Sequence, residues 1–183
     1  MGDAGPSDVS AQGQAFLKVV REGRSFSGRE RHCLFLNNAG KSFSDVSSVV
    51  EFDLPDDGRA LAQVDWDQDG DLDFWIANRN GPQVRFLENR SSANQHFLSV
   101  QLEGTESNRD AIGSRVRVFV ANEDRPVTRT LRAGDSFLAQ SSKRLHFGLG
   151  DASSIERIEV TWPNGKTQSF TGPRLDSACL IHG

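Results

Sequence analysis

The sequence predicts an all-β fold with one short N-terminal helix, and three observations lead to this prediction. Past residue 25 the apolar runs are short, and glycine, proline, asparagine and serine separate them. From residue 96 onward apolar and polar residues alternate with the period of a half-buried strand. Pro163-Asn164-Gly165 is a strong turn sequence, so residues 156–170 should form a β-hairpin. We therefore expect residues 96–183 to form an antiparallel β-sandwich, with these side chains facing inward: Val116, Val118, Val120, Leu131, Ile158, Val160 and Trp162.

The helix is expected over residues 8–22. Apolar residues recur there at helical spacing between Ala15 and Val20, and Asp8 or Ser10 is a suitable N-cap. Short apolar runs predict four strands between this helix and residue 92: Cys33–Leu36, Leu61–Val64, Phe74–Ala77 and Val84–Leu87. The composition then turns small and polar near residue 90, which suggests a boundary. We expect three regions: a helix and linker over 1–24, a β-repeat over 25–92 and a β-sandwich over 93–183.

Bulk composition excludes several classes of partner. The chain has 183 residues, a formal net charge of −4 and no basic cluster, so a nucleic-acid surface is not expected. No apolar run approaches the roughly 20 residues that span a bilayer, so no membrane span is expected either. We therefore look for a partner among proteins and glycans.

One segment carries distinctive chemistry, the aspartate loop at residues 65–73, DWDQDGDLD. Crowded carboxylates repel one another unless a cation lies among them, and carboxylate oxygens suit Ca²⁺. Gly70 permits the sharp turn that lets alternate side chains converge. We predict one Ca²⁺ held by the side chains of Asp65, Asp67, Asp69 and Asp73 and by the carbonyl of Asp71. The alternative is an acidic surface turn that binds no metal.

The aspartate loop differs from an EF-hand. An EF-hand loop places a bidentate Glu at position twelve, where this chain has Ile76. The residues on both sides of the loop are β-forming rather than helical. The expected site is therefore a strand–loop–strand site.

Two family resemblances cover residues 25–180. Residues 62–78, AQVDWDQDGDLDFWIAN, resemble an FG-GAP/VCBS-type repeat, the calcium-binding blade of integrin-type propellers, and residues 34–47 resemble the start of another repeat. The second half resembles the ASPIC/UnbV domain, as in the cartilage acidic protein-like family, at residues 108–113, 134–150 and 160–165. The resemblance implies a blade-like antiparallel sheet carrying the calcium loop, and an extracellular or periplasmic location. Since a propeller needs about four to eight blades, this chain is either a piece of a longer propeller or a single blade beside the C-terminal domain.

These observations predict a non-catalytic, calcium-stabilised extracellular module for protein interaction or adhesion. The alternative is a carbohydrate-binding β-sandwich, for which Trp66 offers a stacking face, whereas Trp75 and Trp162 are expected in the core. A hydrolase would need a triad drawn from Ser136, Ser141 or Ser142 with His146 and Asp135, and no nucleophile elbow surrounds these serines. We therefore expect no enzyme.

Two further expectations concern association and cysteine chemistry. An isolated blade would expose sheet edges, through which copies of the chain could associate. Cys33 and Cys179 are either small core residues or the two halves of one disulfide.

Overall fold

A computed structural model describes residues 6–22, 29–79, 81–90 and 95–183. These residues contain one helix, α1 at Pro6–Arg21, and twelve strands. The strands are β1 Phe35–Asn37, β2 Phe43–Asp45, β3 Gly58–Val64, β4 Asp73–Asn78, β5 Val84–Leu87, β6 His96–Glu103, β7 Arg115–Val120, β8 Val127–Thr130, β9 Leu145–Gly150, β10 Ile155–Thr161, β11 Thr167–Thr171 and β12 Ser177–His182. The predicted all-β class with one short helix is confirmed.

Element boundaries differ from the sequence predictions by a few residues. The helix begins two residues early, at Pro6, because proline suits the first turn, where no N–H is needed. The first strand begins at Phe35 rather than at Cys33. The strand predicted over Val84–Leu87 has those bounds in the structure.

The chain divides into two compact units. One contains the described residues up to Ala60 together with Ile76–Arg85, and the other contains Leu61–Trp75 and the described part of Phe86–Gly183. The aspartate loop therefore belongs to the same unit as the C-terminal strands. The predicted regions, divided at residues 24 and 92, stay a prediction.

The C-terminal strands form two sheets around one apolar core. The order is β11-β10-β7-β8 in the first sheet and β12-β6-β9 in the second. Strands of both sheets supply the core, including the fully buried Leu98, Val116, Phe147 and Val160. All seven side chains predicted to face inward are buried, from Val116 at 0% exposed to Val120 at 6%. The expected hairpin is also present, since β10 and β11 pair antiparallel with Thr161 opposite Thr167.

One part of the sandwich prediction is wrong. Strand β12 pairs with β6 in parallel, with Cys179 opposite Val100, so the sandwich is not antiparallel throughout. After β11 the chain leaves the first sheet and enters the second, where it lies beside a strand from much earlier in the sequence. Periodicity identifies the buried face of a strand but carries no information on its partner or direction.

The first unit depends largely on polar contacts. The short strands β1 and β2 pair antiparallel and are exposed along their length. Asp56 forms an ion pair with Arg85, which lowers the pKa of the Asp56 carboxyl chiefly through their hydrogen bond. Asp57, only 1% exposed, accepts the backbone N–H of Glu30 at 3.0 Å. Strands β3, β4 and β5 form a three-stranded sheet, and only residues 58–60, 76–78 and 84–85 of these strands belong to the first unit.

Both cysteines are free. Cys179 is partly buried against the sandwich core, which agrees with its interpretation as a small core residue. Cys33 is exposed and is not a core residue. Among the described residues, no helix has the length and apolar character needed to cross a membrane.

Candidate functional site

The aspartate loop connects β3 to β4 and brings three of its carboxylates together. Oxygen atoms of Asp65, Asp67 and Asp69 all lie within 4.8 Å of one another. Two oxygens bound to the same Ca²⁺ lie at most about 5 Å apart, because each Ca–O distance is about 2.3–2.6 Å. Asp65 is half-buried at the base of the loop, while Asp67 and Asp69 are exposed. The three oxygens therefore have a separation that one calcium ion could bridge.

Backbone geometry produces this convergence. The N–H of Asp71 donates to Oδ1 of Asp69 at 2.8 Å, and the N–H of Asp69 points to Oδ1 of Asp67 at 3.4 Å. Gly70 has φ +96°, in the region that favours glycine. A Cβ at Gly70 would also lie 2.2 Å from Cδ1 of Phe97, on strand β6. Glycine is thus needed twice at this position, for its backbone angle and for its close contact with the sandwich.

Asp65 has a carboxylate oxygen that suits a bound cation. Its Oδ1 is buried and has no hydrogen-bond partner among the described residues. Burial raises the pKa of Asp65, and the charge of Asp69 raises it further, against the opposing effect of the Gly70 and Gln68 backbone N–H groups. A carboxylate in this position is costly to ionise unless a cation accompanies it. The residues present therefore fit a hard divalent cation.

Asp73 lies apart from the three clustered aspartates and holds the base of the loop. Its side chain is 1% exposed. Its Oδ2 accepts the N–H of Trp66 at 2.9 Å, and its Oδ1 accepts the N–H of Asn89 at 2.8 Å. The sequence predicted that Asp73 and the carbonyl of Asp71 bind metal. Both roles stay predictions, and the observed contacts give Asp73 a structural role as well.

An aromatic cluster lies beside the loop. Trp66 is 61% exposed and meets Trp75 edge-on, with 5.5 Å between ring centroids. The ring centroid of Phe86 lies 4.8 Å from that of Trp75. Trp162, by contrast, is buried in the sandwich core, as predicted, and its indole N–H donates to Gln168 at 2.7 Å. Trp75 is half-buried rather than enclosed.

The serines considered for a hydrolytic triad make other contacts. Ser136 Oγ donates to the Leu61 carbonyl at 2.9 Å, and Ser141 Oγ accepts the N–H of Gln63 at 3.1 Å. Ser142 Oγ accepts the N–H of Arg144 at 3.2 Å. Nδ1 of His146 is buried without a hydrogen-bond partner among the described residues, so no carboxylate orients this ring through that atom. The catalytic arrangement of nucleophile, base and orienting acid is not formed by these described residues.

Sequence reasoning missed a polar cleft of about 790 Å³ in the same compact unit. Its lining includes Arg129, Arg132 and Arg144 together with several hydroxyl side chains. These residues come from separate parts of the chain, so no local motif marks them. Thr128, Arg129, Thr130 and Arg132 lie close together in sequence, but nothing in their spacing indicates a cleft.

The fold and the loop define an all-β protein with a sandwich-like C-terminal region and a candidate metal loop. Residues 104–182 match the family model described as ASPIC and UnbV, so the predicted similarity of the second half is confirmed. This family is not a known catalytic family. No curated protein matches the chain. The resemblance of residues 62–78 to an FG-GAP/VCBS-type repeat stays a prediction.

Proposed function

We propose that this protein is a non-catalytic binding or scaffolding module whose aspartate loop binds one Ca²⁺ in a structural role. The observation that carries the proposal is the convergence of Asp65, Asp67 and Asp69, together with the buried Oδ1 of Asp65, which has no hydrogen-bond partner among the described residues. A solvated acidic turn would leave its carboxylates free to separate. Here the backbone bonds at Asp69 and Asp71 hold them close despite their repulsion.

Calcium fits this loop better than magnesium does. Ca²⁺ accepts six to eight oxygen ligands in flexible geometry, whereas Mg²⁺ requires a near-ideal octahedron at about 2.0–2.1 Å and loses its waters reluctantly. The loop supplies carboxylates from one short segment and leaves Asp67 and Asp69 open to water. Water molecules and the Asp71 carbonyl would complete the coordination.

The ion's role would be to stabilise the fold. The loop joins β3 to β4, and Gly70 lies against Phe97 of the sandwich. A cation that binds only the folded loop adds its binding free energy to folding, about 1.4 kcal/mol at ten times Kd. For a chain of this length this corresponds to a rise in Tm of roughly 3–6 °C.

Calorimetry and thermal melts with calcium or with a chelator test this proposal. We expect wild-type protein to bind one Ca²⁺ and to melt several degrees higher with millimolar calcium than with EGTA. Asp69→Ala should remove most of this difference. Asp124→Ala is the matched control, because Asp124 is an exposed carboxylate in the β7–β8 turn and outside the loop. If millimolar calcium neither binds nor shifts the wild-type melt, the aspartate loop is only an acidic turn.

The location we propose is extracellular or periplasmic. Two of the three clustered carboxylates are exposed, which suits weak binding with Kd of about 10⁻⁴–10⁻³ M, as in extracellular calcium modules. Calcium titration gives the relevant measurement. A Kd near 10⁻⁷ M would instead indicate a site adapted to cytosolic calcium, and would count against this location.

The second candidate function is carbohydrate binding at the aromatic cluster. Trp66 favours it, because most of this large ring stays exposed while its edge is supported by Trp75. A glycan array with wild type and Trp66→Ala tests the idea. Loss of array binding in Trp66→Ala, with a melt lowered by no more than a few degrees, would support it, whereas equal binding by both proteins would refute it.

A further inference from the structure

Three arginines line the polar cleft. Arg129, Arg132 and Arg144 are exposed, and within the described part of the chain none of them forms an ion pair. Several other cations of the same unit are paired: Lys143, next to Arg144, contacts Asp110, and Arg117 contacts Glu159 at 2.5 Å. The chain as a whole is acidic, with a net charge of −4, so unpaired arginines in one cleft do not follow from composition.

Two of the three carboxylates that line the cleft have local contacts. Asp176 lies 2.8 Å from Nδ1 of His96 and accepts the N–H of Phe97 at 3.1 Å. Asp135 lies 3.4 Å from the N–H of Ser141. Asp65 belongs to the clustered aspartates. Asp176 and Asp135 therefore have local contacts, whereas Oδ1 of Asp65 has no hydrogen-bond partner among the described residues. The three guanidinium groups remain available to a ligand.

The walls of the cleft are held in place before any ligand arrives. The segment between β8 and β9 is attached to β3 by three hydrogen bonds: Ser136 Oγ to the Leu61 carbonyl at 2.9 Å, the Gln63 N–H to Ser141 Oγ at 3.1 Å, and the Ser142 N–H to the Gln63 carbonyl at 3.2 Å. Phe97 and His146, which also line the cleft, stack with 5.9 Å between their ring centroids. A preformed cleft costs little ordering entropy on binding.

From this cleft we infer a binding site for an acidic oligosaccharide, whose carboxylate or sulfate groups pair with Arg129, Arg132 and Arg144. A guanidinium presents a planar fork of N–H donors that matches carboxylate and sulfate oxygens. Hydroxyl side chains in the lining, among them Thr128 and Thr130, can both donate and accept hydrogen bonds, as a sugar requires.

Size and polarity favour an oligosaccharide over a protein surface. The volume of about 790 Å³ lies within the range of clefts that enclose a compact ligand, whereas protein interfaces are broad and flat. This inference rests on the non-catalytic binding role proposed above and names a ligand class for it.

Calorimetric titration with defined probes tests the inference. The probes are a galacturonic acid tetramer, a sulfated tetrasaccharide of heparin, neutral maltotetraose and a hexaglutamate peptide. We expect at least one acidic oligosaccharide to bind wild type, with an affinity that falls as salt rises. The triple variant Arg129→Gln, Arg132→Gln, Arg144→Gln should lose about tenfold or more in affinity.

A second triple variant, Arg109→Gln, Arg125→Gln, Lys166→Gln, is the charge-matched control, since it removes three exposed cations that do not line the cleft. It should bind like wild type. The inference is overturned if both triple variants lose affinity equally, if maltotetraose binds as well as the acidic probes, or if hexaglutamate does. Melts and titrations in calcium and in EGTA separate the two proposals. Arginine-dependent probe binding by a protein that neither binds calcium nor melts differently in calcium would refute the calcium site alone. A calcium-dependent melt without probe binding would refute the cleft alone.

Discussion

The core of the C-terminal sandwich and the aspartate loop lie in the same compact unit, yet their side chains have opposite environments. In the core, Leu98, Val100 and Phe147 are fully buried among other apolar groups. In the loop, Asp65, Asp67 and Asp69 lie within a few ångströms of one another at the surface. Removal of apolar area from water stabilises the first, while backbone hydrogen bonds and a counter-charge stabilise the second. The two regions should therefore respond differently to mutation and to ions.

The largest effect is expected in the core. Phe147→Ala leaves a cavity at a fully buried site and should lower the free energy of unfolding by about 3–5 kcal/mol. Urea denaturation measures this, and the loss should be the same in calcium and in EGTA. Phe137→Ala, at a side chain 74% exposed, is the control and should change stability by less than about 0.5 kcal/mol. A calcium-dependent loss in Phe147→Ala would mean that the two regions are not energetically separate.

The next effect concerns the glycine at which the loop meets the sandwich. Gly70→Ala combines a strained backbone angle with a collision against Phe97, and should cost about 2–4 kcal/mol. Gly165→Ala has a similar φ of +84° but no atom within 4 Å of the added Cβ, so it should cost only about 1 kcal/mol. Denaturant melts compare the two variants. Equal losses would show that backbone strain alone requires Gly70.

Asp73→Asn tests the base of the loop. The amide replaces one of two oxygens that each accept a backbone N–H, so the folded state should lose about 2 kcal/mol even in EGTA. Calcium affinity gives the second measurement. A large loss of affinity would support the predicted role of Asp73 as a ligand, whereas unchanged affinity would restrict it to holding the loop.

The smallest effect is expected at the exposed aromatic ring. Trp66 is 61% exposed, so Trp66→Ala should cost about 0.5–1.5 kcal/mol, chiefly from its contact with Trp75. Trp162→Ala, in the core, should cost about 3–5 kcal/mol. Thermal melts distinguish the two. A loss at Trp66 as large as that at Trp162 would indicate that the aromatic cluster is a second structural core.

Several features of the fold could be predicted from local sequence. Alternation placed Val116, Val118 and Val160 on inward faces, because successive strand residues point to opposite sides of a sheet. The turn sequence at residues 163–165 predicted the hairpin that β10 and β11 form. The spacing of Asp65, Asp67 and Asp69 predicted their convergence, since residues so close in sequence remain close in space. Cys33 was less predictable, because an apolar neighbourhood in sequence does not ensure burial.

Sequence alone determined the β class, the buried faces of the sandwich and the three clustered carboxylates, because each depends on residues only a few positions apart. Tertiary structure alone decided that β12 joins β6 in parallel, that Phe97 lies against Gly70, and that Arg129, Arg132 and Arg144 line one cleft. Each of these features joins segments that are distant along the chain. Such contacts form when the core closes and apolar faces from both sheets leave water together, a process that depends on the whole set of strands rather than on any one of them.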